Sequence, residues 1–468
     1  MKYYTIVIGS GAAGLVVAMG LAKANKKVLL IEKGHFGGDC TNYGCIPSKS
    51  LIASANAAHT LKKADSFGLK IEGSLDTSGV FSRVQGIIER IRSHEDEKAL
   101  TNLGIDVCIG EAKFKDAKTI EVDGKGSFTA NYILIATGSK ANIPNISGLQ
   151  NTPFLTNETI FSLKNVPASM TFLGGGPIGC ELAMAFARLG TKVSLIHKKK
   201  GLLDKECEEA QKTLEEVFIK EGIDLHLNSS IKEVTHSTEG FSIKISSSEE
   251  SQIASKELMI SIGRSPNIHE LNLKNADIKY KDSGIIVDAY GRTNIKHIFA
   301  AGDAIGPPFF THFAENQARA ILTTLLLPFS KKRSSQYLPR VTFTDPEVAS
   351  FGMSYKDALN SYREKSIAVY RVKLKGIDRA VTNGTETGFV EIVTKRLSSK
   401  ILGATIVAKG AGEMVQELLV ASYTKTPLRK LASIIHPYPT MSLAIRKAAD
   451  LWLTETLIPF IKNPFKFL

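Results

Sequence analysis

The segment TIVIGSGAAGLVVAMGLAKANKKVLLIEK, residues 5–33, decides the fold of the chain. An apolar strand runs into a glycine turn, an Ala/Leu-rich helix follows, and a second apolar strand closes a βαβ pattern. Gly9, Gly11 and Gly14 give the spacing GxGxxG, which permits close backbone approach to a diphosphate at the helix N-terminus. Glu32 ends the second strand, where a carboxylate accepts hydrogen bonds from ribose hydroxyls. The segment therefore predicts a dinucleotide-binding domain.

The same design recurs at MTFLGGGPIGCELAMAFARLGTKVSLIHK, residues 170–198. Gly174, Gly176 and Gly179 repeat the glycine spacing between an apolar strand and an Ala-rich helix. Two such units predict an α/β protein with two Rossmann-like dinucleotide-binding domains. A chain of 468 residues has room for about three domains, so a further domain is expected after them.

The second unit ends differently from the first. His197 stands where an acid would hold a ribose 2′-hydroxyl, and Lys198, Lys199 and Lys200 follow it. Cationic groups at this point favour the 2′-phosphate of NADPH, whereas an acid favours NADH. Three lysines in a row also suit a solvated turn, so NADPH is the preferred prediction and NADH stays open.

The composition bounds the class of protein. Hydrophobic residues make up 43% and charged residues 22% of the chain, which is typical of a globular protein. The sequence shows neither a secretory signal pattern nor an apolar run of about 20 residues, so we expect a cytoplasmic protein. The formal charge of +13 comes from scattered lysines and arginines, so we expect a basic surface and no nucleic-acid partner.

The stretch GGDCTNYGCIPSKSLI, residues 37–52, carries the chemistry. Four residues separate Cys40 from Cys45, and Pro47 with Ser48 marks a helix start just after Cys45. The positive end of a helix favours the reactive thiolate form of a cysteine. No CxxC motif and no nearby histidine pair would complete a zinc site with these two cysteines. We therefore predict a catalytic disulfide and no metal.

The remaining segments give a coarse outline of the other elements. Apolar residues at helical spacing cover residues 50–100, and TNIKHIFAAGDAIG, residues 293–306, is typical of a strand, a turn and a helix. KKRSSQ, residues 331–336, is predicted to be a linker. Strands are predicted within 105–137, 222–262, 365–374, 387–395 and 401–408.

With these motifs, the chain resembles the FAD-dependent pyridine nucleotide-disulfide oxidoreductases, which include dihydrolipoamide dehydrogenases, glutathione reductases and mercuric reductases. The resemblance covers nearly the whole chain, and GGDC…NYGC…PSK is most similar to the mercuric reductases. It implies bound FAD, a nicotinamide cofactor and a homodimer. It also implies an FAD-binding domain at 1–150 and 268–335, a nicotinamide-binding domain at 151–267, and an α+β dimerisation domain at 336–468.

The resemblance also implies roles for single residues. Cys45 would face the flavin, and Cys40 would be the interchange thiol that meets the substrate. Lys49 would lie near flavin N5 and pair with Glu181. The other cofactor-binding positions that the family implies are Thr137 and Gly138 in a strand-turn, Gly302 and Asp303 in the second flavin motif, and Arg264 beside the nicotinamide domain.

The C-terminal domain departs from the family pattern. Dihydrolipoamide dehydrogenases and glutathione reductases carry His-Pro-Thr and a following glutamate, and this histidine acts as acid and base across the dimer. In HPYPTMSL, residues 436–443, alignment on Pro-Thr puts Tyr438 at the histidine and Leu443 at the glutamate. The tyrosine resembles that of mercuric reductases. His436 could supply a substitute base or be an ordinary interface residue.

These features predict an NAD(P)H-dependent flavoenzyme that passes electrons through FAD to the Cys40–Cys45 disulfide. The acceptor would be a small-molecule or protein disulfide. Efficient mercury reduction is not expected, because no cysteine follows Cys207 and mercuric reductases carry a C-terminal pair. The alternatives are a diaphorase that reduces quinones or oxygen at the flavin and a redox-responsive FAD-binding protein. The tail, residues 451–468, is expected to pack against the partner subunit rather than a membrane surface.

Overall fold

Short strands and helices alternate along most of the chain, as the repeated βαβ pattern predicts. The computed structural model describes residues 2–246, 250–327 and 337–463. In the order of the sequence, the strands are β1 (Lys2–Ile8), β2 (Val28–Glu32), β3 (Ile105–Ile109), β4 (Ala112–Phe114), β5 (Thr119–Val122), β6 (Gly126–Ile135), β7 (Ser139–Ala141), β8 (Ser169–Leu173), β9 (Lys192–Ile196), β10 (Asp224–His226), β11 (Ser230–Ser237), β12 (Gly240–Ser246), β13 (Glu250–Ser255), β14 (Glu257–Ile260), β15 (Arg264–Pro266), β16 (Tyr280–Lys281), β17 (Gly284–Ile285), β18 (Ile298–Ala300), β19 (Arg340–Thr342), β20 (Glu347–Gly352), β21 (Ile367–Lys373), β22 (Phe389–Lys395) and β23 (Ile401–Ala408).

The helices fall between these strands and after the last of them. They are α1 (Ala12–Lys23), α2 (Gly38–Asn42), α3 (Cys45–Lys62), α4 (Val80–Arg92), α5 (Glu97–Asn102), α6 (Pro177–Leu189), α7 (Glu208–Lys220), α8 (Thr311–Leu326), α9 (Tyr355–Ser361), α10 (Asp378–Thr382), α11 (Ala411–Tyr423), α12 (Leu428–Leu431), α13 (Leu443–Trp452) and α14 (Ile458–Lys462). A π-helical turn, Leu453–Leu457, connects α13 to α14.

The chain divides into two compact units, each built from two separate stretches of sequence. The first unit comprises Met1–Ala168 and Lys256–Ser335, and the second comprises Ser169–Ser255 and Gln336–Leu468. Each unit contains one of the two glycine motifs, so each carries its own βαβ element.

The first unit is built on a parallel sheet with a core on each face. Strands β3, β2, β1, β6 and β18 lie side by side and parallel, and β5 and β4 extend the sheet from β6 in antiparallel fashion. Alternate residues of β1 point to opposite faces, so Ile6 and Ile8 belong to one apolar core and Val7 to the other. The core around Val7 also contains residues of α1 and α8, which cover that face. Burial on both faces explains the continuous apolar run of this strand.

The second unit contains two kinds of sheet. Strands β8, β9 and β10 are parallel, and α6 connects the first two, which completes the second βαβ element. The C-terminal part is an antiparallel sheet in the order β19-β20-β23-β22-β21, and its core includes residues of α11 and α13. The predicted fold class, two Rossmann-like domains followed by an α+β domain, is confirmed.

The sequence predictions for the C-terminal part can be compared strand by strand. The strands predicted within 365–374, 387–395 and 401–408 are confirmed as β21, β22 and β23. The predicted linker at 331–336 and the last five residues of the tail lie outside the described residues. Among the helices that the structure describes, none has the length and apolarity needed to cross a membrane.

Candidate active site

The segment that carries the two cysteines, residues 37–52, is called the cysteine loop here, and it lies directly on the first glycine turn. Gly38 has a φ of +61°, and a Cβ atom there would lie only 2.6 Å from the Cα of Gly11. Only glycine allows two backbones to approach this closely at a positive φ. This contact explains the glycine at position 38, and it fixes the cysteine loop beside the turn that is predicted to hold a diphosphate.

The two cysteines face each other across a break between helices. Cys40 lies in α2, and Cys45 is the first residue of the 18-residue helix α3, two residues before the predicted helix start at Pro47. A hydrogen bond to Cys45, burial and the neighbouring sulfur's charge all raise the pKa of Cys40. Cys40 therefore holds its proton and shares it with Cys45, whose position at a helix N-terminus favours a thiolate.

A threonine that the sequence analysis did not single out completes this centre. Thr311 is the first residue of α8, and its Oγ1 lies 3.5 Å from the Sγ of Cys45. Its hydroxyl also hydrogen-bonds Cys40, which partly offsets the rise in that thiol's pKa. Because 266 residues separate Thr311 from Cys45 in the sequence, no local pattern brings them together.

A cavity of about 260 Å³ beside the cysteine loop fits the predicted dinucleotide site. Its lining includes Gly9, Gly11, Glu32, Thr137 and Gly138, all of which the sequence analysis singled out. Within the described residues, no side chain caps α1, so the backbone N–H groups of its first turn are available to a diphosphate. The residues present therefore fit the diphosphate of FAD.

The carboxylate of Glu32 accepts hydrogen bonds from the glycine turn and from a residue just after β2. Oε2 accepts hydrogen bonds from the backbone nitrogen of Ser10 at 2.8 Å and from its hydroxyl at 2.7 Å. Oε1 accepts a hydrogen bond from the backbone nitrogen of Gly34 at 2.8 Å. Glu32 also lines the cavity, and its binding to a ribose stays a prediction.

A chain of polar contacts connects the second flavin motif to the cysteine loop. Asp303 accepts a hydrogen bond from the hydroxyl of Ser139, and burial raises the pKa of Asp303. Arg264 donates from Nε to the hydroxyl of Ser139 at 2.7 Å and contacts Asp39, the neighbour of Cys40, at 3.1 Å. Arg264 is thus placed against residues of the predicted flavin site.

Gly302, in the same motif, is held by a buried side chain. Its backbone nitrogen donates to Oε1 of Gln317 on α8 at 2.8 Å, and Gln317 is 1% exposed. Neither Gln317 nor Ser139 was predicted as a site residue. A glutamine on the apolar side of an amphipathic helix is the only signal that the sequence offers for the former.

In the second unit, His197 accepts a hydrogen bond from the backbone of the glycine turn, as Glu32 does in the first unit. Its Nδ1 accepts a hydrogen bond from the backbone nitrogen of Gly175 at 3.0 Å. Burial lowers the pKa of His197, which keeps the ring neutral and able to accept this bond. Any charge complementary to a 2′-phosphate therefore comes from the exposed lysines that follow, Lys198 to Lys200. The glycines Gly174, Gly176 and Gly179 adopt the predicted turn at the start of α6.

Lys49 and Glu181 belong to different units, so their predicted pairing stays a prediction. Lys49 lies on α3, one turn after Cys45. Glu181 is buried on α6, where its Oε1 accepts a hydrogen bond from the backbone nitrogen of Phe343 at 2.9 Å.

His436 forms a pair with a glutamate that the sequence did not single out. Its Nε2 lies 2.9 Å from Oε1 of Glu417 on α11, and its Nδ1 lies 2.9 Å from the carbonyl oxygen of Ile434. The side chain is 6% exposed. Both ring nitrogens are thus engaged by acceptors in the same chain, which leaves neither directed at a substrate.

Tyr438, at the position of the family histidine, is exposed and points its hydroxyl at an acid. The hydroxyl donates to Oδ2 of Asp378 at 2.9 Å, and this hydrogen bond raises the pKa of Tyr438. The phenol is therefore a proton donor at neutral pH. Leu443, at the position of the family glutamate, is buried.

Comparison with known proteins decides the family. A model described as pyridine nucleotide-disulphide oxidoreductase matches residues 3–318, and the dimerisation domain of that family matches residues 338–449. The chain belongs to the pyridine nucleotide-disulphide oxidoreductase family. Membership confirms the predicted flavin-dependent oxidoreductase acting on a sulfur group, with FAD and a pyridine nucleotide as cofactors, and the second domain indicates a homodimer.

Relatives within the pyridine nucleotide-disulphide oxidoreductases align along nearly the whole chain. The mercuric reductase of Lysinibacillus sphaericus is 31% identical over 96% of this chain and 84% of its own. The dihydrolipoyl dehydrogenase of Bacillus subtilis is 30% identical over 94% of this chain and 97% of its own. Among solved structures, the Cu(II) complex of the HOCl-induced flavoprotein disulfide reductase RclA from Escherichia coli superimposes with a TM-score of 0.86 at 27% identity, covering 96% of this chain and 99% of that one.

Proposed function

We propose that this oxidoreductase transfers two electrons from NADPH to the Cys40–Cys45 disulfide and from there to a small disulfide. The observation that supports this most strongly is the hydrogen-bonded thiol pair, with Cys45 at the start of α3 and Thr311 against its sulfur. FAD, held by the glycine turn and Asp303, supplies the two-electron relay between nicotinamide and disulfide when bound.

The thiol chemistry balances with one disulfide consumed for each nicotinamide. The Cys40 thiolate attacks one sulfur of the acceptor, breaks its S–S bond and releases the first thiol. The Cys45 thiolate then attacks the sulfur of Cys40, releases the second thiol and closes the Cys40–Cys45 disulfide. The net reaction is NADPH, a proton and one disulfide giving NADP⁺ and two thiols.

An anaerobic titration with NADPH tests the proposal. We expect the first equivalent to produce the long-wavelength absorption band of a thiolate next to oxidised flavin. The same titration of Cys45→Ser should show no such band, because serine offers no thiolate. Bleaching of the wild-type flavin without the band would favour the diaphorase, which needs neither thiol.

The absence of the family's acid–base pair has a consequence for pH dependence. Because the pKa of Cys40 is raised, the thiol form predominates at neutral pH, and neither Tyr438 nor His436 offers a free basic group to remove its proton. Only the thiolate attacks a disulfide. We therefore expect kcat/KM for a disulfide to rise about tenfold per pH unit from pH 7 to 9.

The control for this pH profile is the reduction of ferricyanide by the same enzyme, which needs no thiol. Its rate should change by less than about threefold over the same range, because no thiol has to lose a proton before ferricyanide is reduced. A flat profile for the disulfide would contradict the assignment of Cys40 as an unassisted nucleophile.

The coenzyme preference depends on the lysines after β9. Replacing Lys198 and Lys199 with glutamine should lower kcat/KM for NADPH about tenfold, because exposed charge-assisted contacts to a phosphate are lost. The value for NADH should change far less. Lys232→Gln, an exposed lysine on β11, is the matched control. Equal losses for both coenzymes would show that these lysines do not select the 2′-phosphate.

A diaphorase is the second candidate, and the geometry of Tyr438 and His436 is the observation in its favour. With no free base near the position of the family histidine, thiol exchange is slow at neutral pH and direct reduction of a quinone at the flavin can compete with it. A double variant, Cys40→Ser with Cys45→Ser, should retain its full quinone reduction if this second function is the main one.

A further inference from the structure

A cavity of about 380 Å³ opens beside Tyr438 in the second unit. It lies between the start of α10, the loop that precedes α13, and α13 itself. We call it the Tyr438 pocket, and the polar and charged side chains that line it are those of Asp378, Ser433, His436, Tyr438, Arg446 and Lys447.

Arg446 is the notable group in this pocket. Within the described residues, its guanidinium makes one ionic contact, to Asp450 at 3.8 Å, and its Nε is buried without a hydrogen-bond partner. A guanidinium carries five N–H donors in a planar fork that matches a carboxylate. Arg446 therefore has most of its hydrogen-bonding capacity unused at the wall of an open cavity.

The other charges of the Tyr438 pocket do not cancel this one. Lys447 is an additional cation, and its Nζ donates to the carbonyl oxygen of Gly376 at 2.7 Å. His436 lies 2.9 Å from Glu417 through its Nε2, and the carboxylate of Glu417 is not among the side chains that line the pocket. Asp378 is the one acid in the lining, and it accepts the hydroxyl hydrogen bond of Tyr438.

The leucine at position 443, where the family glutamate would stand, also favours an anionic ligand. Leu443 lines the pocket at the position where the resemblance implies a glutamate in dihydrolipoamide dehydrogenases and glutathione reductases, so a negative charge is replaced by an apolar side chain. A glutamate at this position would repel an incoming anion, whereas leucine adds no negative charge beside the two cations. The pocket thus favours a ligand with a negative charge and a short apolar segment.

We infer that the Tyr438 pocket binds a carboxylate of the acceptor, so that the preferred acceptors are small disulfides that carry carboxylates. The inference rests on the proposed function, in which the acceptor is a small disulfide, and on the family resemblance, which implies that the residue at the Tyr438 position acts on the substrate across the dimer. Arg446 holds the carboxylate through paired N–H donors, and Lys447 adds a second positive charge.

The test compares three disulfides that differ in charge and share one S–S chemistry. They are 3,3′-dithiodipropionate, a dianion; bis(2-hydroxyethyl) disulfide, which is neutral; and cystamine, a dication. We expect kcat/KM to be at least about tenfold higher for the dianion than for the neutral disulfide, and lowest for cystamine. Raised salt should reduce this preference, because exposed charges are screened.

Substitutions of the two cations test whether the Tyr438 pocket causes the preference for the dianion. Arg446→Gln with Lys447→Gln should reduce the ratio of dianion to neutral kcat/KM at least about fivefold. The single variant Lys447→Gln should give a smaller change in the same direction, and it serves if the double variant folds poorly. Lys232→Gln, which removes one exposed charge elsewhere in the same unit, controls for net charge.

A binding measurement separates this inference from the proposed function. Suberate has the length of dithiodipropionate without its disulfide, so calorimetry measures recognition without turnover. We expect wild-type holoenzyme to bind suberate and the double variant to bind it at least about tenfold more weakly. Equal kcat/KM for the three disulfides, or equal suberate binding by both proteins, would overturn the inference. Failure to reduce any disulfide while suberate still binds the pocket would overturn the proposed acceptor and leave carboxylate binding established.

Discussion

Replacement of Cys40 or Cys45 by serine is expected to lower kcat/KM for any disulfide acceptor by at least about 1,000-fold, because each variant removes a sulfur that the exchange reaction needs. Cys40→Ser loses the nucleophile that attacks the acceptor, and Cys45→Ser loses the thiol that resolves the mixed disulfide. Serine is close to cysteine in size, so the contact with Thr311 and the start of α3 should survive. The measurement is steady-state oxidation of NADPH with dithiodipropionate as acceptor.

The matched control for these variants is Cys180→Ser, a buried cysteine on α6 in the other unit. Its disulfide reductase activity should stay within a few-fold of the wild type once flavin content is normalised. Both active-site variants should also retain ferricyanide reduction, which uses the flavin alone. A Cys40→Ser enzyme that still reduces the disulfide would remove Cys40 from the reaction.

Gly14→Ala is expected to cause the largest loss of stability among single changes in the flavin site. A Cβ atom at Gly14 would lie 1.9 Å from the carbonyl oxygen of Gly9 and 3.0 Å from its carbonyl carbon, so the clash is with backbone atoms. Relief requires the whole turn to move, at a cost of about 3 kcal/mol or more in the free energy of unfolding. We expect a marked fall in the thermal midpoint of the holoenzyme and little bound flavin after purification.

Gly11→Ala in the same turn is the matched comparison. The atom nearest to a Cβ at Gly11 is the Cα of Gly38, at 3.9 Å, so the chain itself accommodates alanine. This variant should fold with a thermal midpoint of its flavin-free form close to that of the wild type. Its affinity for FAD should nevertheless fall about tenfold or more, because the added methyl group occupies the approach to the diphosphate. Equal flavin affinity in Gly11→Ala and wild type would place the diphosphate elsewhere.

Much of the fold was accessible from the sequence because it depends on local patterns. The two glycine turns sit between apolar strands and helices of ordinary length, and each motif specifies its own βαβ element. The strands β21, β22 and β23 alternate or run apolar between clear turn residues. The helix that follows the cysteine pair was predicted with its start at Pro47, two residues after its first residue Cys45, since proline in the first turn of a helix is a strong local signal.

The parts of the site that the sequence did not reveal depend on contacts between distant residues. Thr311 reaches Cys45 only because α8 packs with α1 on one face of the first sheet. Glu417 meets His436 because α11 and the segment after α12 belong to the same C-terminal domain. Arg264 contacts Asp39 across 225 positions of sequence. Single-sequence patterns carry no information about such pairings, whereas the packing of the sheet determines them.

His197 occupies the position of Glu32 in the βαβ pattern, but an imidazole differs from a carboxylate in its chemistry. The sequence placed it where an acid would meet a ribose, and the structure has it accepting a hydrogen bond from the glycine turn. Glu32 makes the equivalent bond in the first unit. A neutral histidine and a carboxylate can both accept from a backbone nitrogen, but only the carboxylate would repel a phosphate. The exposed lysines after His197 are consistent with NADPH for the same reason.

The central claim is that Cys40 and Cys45 are a redox pair, and counting alkylated thiols tests it most directly. The oxidised enzyme is denatured in the presence of an alkylating reagent, before and after one equivalent of NADPH under anaerobic conditions, and the modified cysteines are located by peptide mass spectrometry. We predict that Cys40 and Cys45 are protected before reduction and both alkylated after it, with the other three of the five cysteines alkylated throughout. Alkylation of both residues before NADPH is added, with no change afterwards, would contradict the account.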